Sequence, residues 1–102
     1  MKIIKKLSDM IEDELEGAEH YIKCALEYKD EYPELGKTFA MLSEEEMGHM
    51  AKLHKAVVVL IENYREEKGE PPADMMAVYE YLHKKHIDKA AQIKVMQKMF
   101  SE

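Results

Sequence analysis

Cysteine is almost missing: the 102 residues contain one, Cys24. A single thiol cannot close an intramolecular disulfide, and it rules out an all-cysteine metal site within one chain. Cys24 is therefore expected to be a small buried hydrophobe. Tryptophan is absent, and glycine (4) and proline (3) are scarce, so few positions can interrupt a regular element. Long apolar runs are also missing. The longest, Ala56 to Ile61, falls far short of the roughly 20 residues of a membrane span. Positive charge is in the minority: 15 Lys and Arg against 21 Asp and Glu leave a formal net charge of −6. That balance lacks the clustered basic surface that neutralises phosphates, which argues against nucleic acid as a partner. The basic start, MKIIKKLSDM, meets Asp9, Glu12 and Asp13 before any apolar signal core develops. It reads as the opening of a helix, and a cytoplasmic location is the expectation.

What is present is helical periodicity. Apolar residues make up 46% and charged residues 35%, which suits an all-α protein with a single domain over residues 1–102. Three helices are predicted, over about 3–30, 33–68 and 73–100, and nothing alternates with the period of a strand. Helix 1 turns Ile4, Leu7, Ile11, Leu15, Ala18, Ile22 and Ala25 to one side. Pro33 disfavours helix at Tyr32 and is suited to be the first residue of helix 2. Helix 2 carries Leu35, Phe39, Leu42, Leu53, Val57, Leu60 and Tyr64 on one stripe. Gly69 is a plausible C-cap, and Pro71 and Pro72 prevent continuation. Helix 3 repeats Tyr79, Leu82, Ala90, Ile93 and Phe100 on one side. The short first loop makes helices 1 and 2 antiparallel neighbours.

Within this pattern the stretch 43-SEEEMGHMAKLH-54 is anomalous. At about 100° per residue, Glu46 and His49 fall inside the helix 2 stripe, whereas Glu44 faces the opposite way and Glu45 and His54 sit at its margin. On helix 1, Glu14 lies on the shoulder of the apolar stripe, with Glu12, Glu16 and Glu19 turned towards solvent. A carboxylate cannot be buried ionised without a partner, and no lysine or arginine shares the stripe. The carboxyls are therefore either neutral and hydrogen-bonded, with Tyr21 or Tyr28 as donors, or neutralised by a cation. Glutamate and histidine three residues apart on a helix project together and can touch one metal ion. That donor set suits iron, manganese or zinc better than calcium.

The run 14-ELEGAEHY-21, followed by 33-PELGKTFAMLSEEEMGH-49, resembles the helix pair of the ferritin-like superfamily, in its rubrerythrin-type members. Their first helix carries a glutamate seven residues before a tyrosine, matched by Glu14 and Tyr21, and their second carries E-x-x-H, matched by Glu46 and His49. The resemblance covers about Asp9 to Asn63. It implies a di-iron centre with Glu14, Glu46 and His49 as catalytic iron ligands, Glu46 bridging, and Tyr21 hydrogen-bonding a ligand. The implied activity is ferroxidase: oxidation of ferrous iron by dioxygen or peroxide, for iron storage or detoxification. A rubredoxin-type second iron site needs four cysteines and is excluded.

A complete bundle has two such helix pairs, and this chain supplies only one. Encapsulated ferritins, which are short single-pair proteins, complete the site between subunits. Their likeness implies a homo-oligomer, a dimer or ring of dimers, forming a ferritin-like four-helix bundle. An encapsulin shell is a further implied partner, with location inside that compartment, although no docking extension is seen after 99-MFSE-102. His83 and His86, near the helix 3 stripe, are expected to be structural. The nine methionines read as flexible core and interface filler. Glu12, Glu16, Glu19 and His20 form an acidic outer face that suits solubility or cation guidance. The competing function class is a non-catalytic helical oligomerisation module with at most a structural metal.

Overall fold

The computed structural model describes residues 1–102 as three helices and no strands: α1 (Lys2–Tyr28), α2 (Pro33–Lys68) and α3 (Ala73–Ser101). The expected boundaries hold within about two residues. Pro33 opens α2, Glu34 lies in its first turn and Arg65 and Lys68 in its last, all favourable to the helix dipole. Gly69, at φ 81, ends α2 and donates its N–H to the Arg65 carbonyl. No side chain caps the start of α1, so that helix depends on packing for its stability. No helix is long and apolar enough to cross a membrane.

The molecule is a rod of 56 × 20 × 18 Å, with α1 against both other helices and α2 and α3 barely touching. Ile4, Ile11, Leu15, Ala18, Ile22 and Ala25 of α1 are buried as the periodicity predicts, and Leu7 packs against them. Ser8 joins this row and is also buried. From α3 only Ile93 is fully enclosed, with Tyr79, Ala90, Met96 and Phe100 half-buried against the core along the helix.

On α2 the expected stripe is displaced. The residues that α1 covers are Gly36, Ser43, Met47, Val57 and Ile61, and of the predicted set only Val57 is among them. Phe39, Leu42, Leu53, Leu60 and Tyr64 are half-buried, and Leu35 is exposed. The cause is steric. Gly36 and Ser43 let the two backbones approach closely, so much so that a Cβ on Gly36 would meet the Lys29 Cα at 3.0 Å. Helix α1 takes this small-residue side, and the larger apolar residues remain at the edge of the hairpin.

Candidate metal centre

The antiparallel hairpin brings Glu14 of α1 opposite Glu46 and His49 of α2, with one ligand atom from each within 4.8 Å of the others. No other group of three or more His, Cys, Asp or Glu side chains converges in this way. Glu14 and Glu46 are half-buried. His49 is not: its side chain is 54% exposed, which corrects its expected inward placement. It lies on the flank of the displaced stripe rather than within it. Its Nδ1 approaches Glu14 Oε2 at 3.4 Å.

Two features mark the cluster as electrostatically incomplete. Glu14 Oε2 is shielded from solvent and has no hydrogen-bond partner, His49 Nδ1 being poorly aligned for one. Glu46 has its carboxyl held above the ordinary value, first because the adjacent Glu14 carboxyl favours a protonated, hydrogen-bonding Glu46, then through partial burial and the Glu14 charge, with His49 opposing. Two carboxyls thus meet with no lysine or arginine between them. A bound cation would relieve both the unpartnered oxygen and the repulsion, so these donors fit a carboxylate- and imidazole-liganded metal.

Tyr21 stands elsewhere than expected. Its ring stacks on Phe39 at 6.4 Å between centroids, and its hydroxyl makes no hydrogen bond to the three residues. Tyr28 tilts against Tyr32 instead. Neither tyrosine neutralises the carboxyls. Sequence periodicity also missed Gly17. A Cβ there would sit 3.3 Å from Glu46 Oε2, so the glycine makes the space in which the Glu46 carboxyl lies. Its position three residues after Glu14, on the same helix face, was the available signal.

The remaining candidates are dispersed. Glu19 binds Lys89 at 2.7 Å and Lys23 at 3.7 Å, and these ammonium groups lower its carboxyl. Cys24 is half-buried rather than buried, its Sγ 4.0 Å from His20 Nε2. His83 stacks face to face on His54 at 4.7 Å and on Tyr79 at 5.6 Å. With His86 these rings line a cleft of about 370 Å³ between the helices.

The same side of the hairpin is apolar and unfinished. Leu42, Leu53 and Leu60 share the face of Glu46 and His49 on α2, and Ile3, Met10 and Tyr21 share the face of Glu14 on α1, by heptad-like spacing. Ile3, Met10 and Leu35 are 45%, 41% and 44% exposed. Comparison of the chain with protein families, with curated proteins and with solved structures finds no match.

Proposed function

We propose that the chain is a ferroxidase whose carboxylate metal centre is completed by a second copy. A two-fold axis beside the cluster would place two Glu14, two Glu46 and two His49 together, the ligand set of a di-iron carboxylate bundle. The observation that carries this reading is the solvent-shielded, unpartnered Glu14 oxygen facing a second carboxyl and an imidazole. The resemblance in the sequence between Asp9 and Asn63 agrees with it, and the apolar flank around the cluster supplies the surface that a second copy would cover.

In this reading Glu14 and His49 would each hold one metal ion, and Glu46 would be shared between the two. Iron held there would supply one-electron redox chemistry with dioxygen or peroxide as oxidant; manganese and zinc fit the same donors. The chain's own part is to bind ferrous ions, fix their spacing and exclude water through Leu42, Leu53 and Met10. Exposure of His49 in the single chain suits a ligand at the seam, where the partner would cover it.

Aerobic addition of ferrous iron, followed in the near ultraviolet for the ferric product, tests the proposal. Glu46→Ala is expected to abolish oxidation and Glu44→Ala, on the outward face, to preserve it. Equal rates in both variants and the parent would favour the oligomerisation module instead.

A further inference from the structure

A single buried hydrogen-bond relay joins all three helices one turn from the carboxyl pair. Ser43 is fully buried, and its hydroxyl donates to the Ala18 carbonyl of α1 at 2.7 Å. The same oxygen accepts from Gln97 Nε2 of α3 at 3.0 Å. These are the only side-chain hydrogen bonds between α1 and α2 and between α2 and α3. We infer that Gln97 and Ser43 are positioning residues for the Glu14, Glu46 and His49 cluster, with α3 acting as a clamp on the hairpin's register. The functional half of this inference rests on the metal-centre reading; the structural half does not.

The argument is one of register. Ser43 precedes Glu46 by three residues and Ala18 follows Glu14 by four, so each stands one turn from its carboxyl on a neighbouring part of the same face. Sliding α2 by one residue shifts it about 1.5 Å along the axis. That breaks the relay and carries Glu46 and His49 away from Glu14. At the relay itself the facing residues are small (Gly17, Ala18, Ser43), and the nearest large buried side chains, Leu15, Ile22 and Met47, stand a turn to either side. A buried hydroxyl deprived of its partners costs more than the net worth of the bond, so alternative registers are penalised. Gln97 adds direction. A serine hydroxyl has one proton and two lone pairs, and the glutamine N–H, by taking a lone pair, leaves that proton aimed at Ala18. The third helix thus has a task at the site although none of its own residues joins the cluster.

Ser43→Ala and Gln97→Leu test this, with Lys89→Met as control. The control breaks the 2.7 Å ion pair between α3 and Glu19 and weakens helix docking without touching the relay. Two readouts are needed. In anaerobic ferrous titration, Ser43→Ala is expected to weaken binding by about 10-fold, the lower bound for losing a direct outer hydrogen-bond partner, because the relay acts on the ligands only through the helix register. Gln97→Leu should weaken it less, and Lys89→Met should match the parent. In crystal structures of the metal-free variants, the Glu14–Glu46 separation should be wider than in the parent, whose three ligand atoms lie within 4.8 Å of one another, in Ser43→Ala but not in Lys89→Met. Parent-like affinity and separation in both relay variants would overturn the inference. Should the parent itself bind no ferrous iron, the metal reading fails, and the separation alone decides the register claim: widened upholds it, unchanged overturns it.

Discussion

Replacing Glu46 by glutamine in protein kept free of metal should stabilise it. The two carboxyls lie with ligand oxygens within 4.8 Å. At that distance, two full charges repel by about 0.9 kcal/mol in water and about 3.5 kcal/mol at an effective dielectric of 20. Glu14 keeps 26% of its side-chain exposure, and salt screens partly exposed charges, so the lower half of the range applies, about 1–2 kcal/mol. Glutamine has the same shape and offers N–H donors to the Glu14 oxygen that lacks one. The sign with pH follows from the raised Glu46 carboxyl. Glu46 has its carboxyl raised above 4.5 in the folded chain, so the fold retains a proton that the unfolded chain releases. That contribution is full below about 4.5 and is lost as pH rises through the folded value. The gain from glutamine is therefore largest at neutral pH and above. At about 4–8 °C per kcal/mol for a domain of this size, thermal unfolding followed by circular dichroism in chelator should shift up by several degrees. Under anaerobic ferrous iron the order should invert, the parent gaining stability and the variant not. A Glu46→Gln variant that unfolds at or below the parent midpoint in chelator at neutral pH would refute the repulsive-pair reasoning.

Gly17→Ala should raise metal-free stability by up to about 1 kcal/mol through helix propensity, yet weaken ferrous binding. Its Cβ would stand 3.3 Å from Glu46 Oε2 and displace the carboxyl; unchanged affinity in anaerobic titration would contradict this. Burial and the neighbouring His54 hold His83 below its ordinary 6.5, so the fold binds fewer protons there than the unfolded chain. Stability from this group is present above about 6.5 and is lost as pH falls towards the folded value, at no more than about 1.4 kcal/mol per pH unit. His83→Phe keeps the ring stack and removes the proton site, so its unfolding midpoint should depend less on pH between about 7.5 and 5; an equal slope would contradict the assignment.

The row Ile4, Ile11, Leu15, Ala18, Ile22 and Ala25 was legible in the sequence because α1 is covered from two sides and its apolar face has one centre. Helix α2 was not. Its leucines mark one side and its small residues Gly36 and Ser43 another, and periodicity weighs the leucines more heavily although close packing favours the small side. The same ambiguity put His49 inside the stripe, when it lies on the exposed flank. The association of Glu14 with Glu46 and His49 was readable, since a short loop leaves them within about one turn of the same depth. The relay from Gln97 through Ser43 was not, because a serine among glutamates and a glutamine among lysines give no periodic signal.

Native mass spectrometry of the protein titrated anaerobically with ferrous iron tests the shared centre most directly, because chain number and metal number are read from the same ion. Assemblies with an even number of chains, two irons for each pair of chains, and loss of both irons on Glu46→Ala are the predicted result. A folded monomer that carries iron through Glu14, Glu46 and His49, or an oligomer whose iron content does not change in Glu46→Ala, would contradict it.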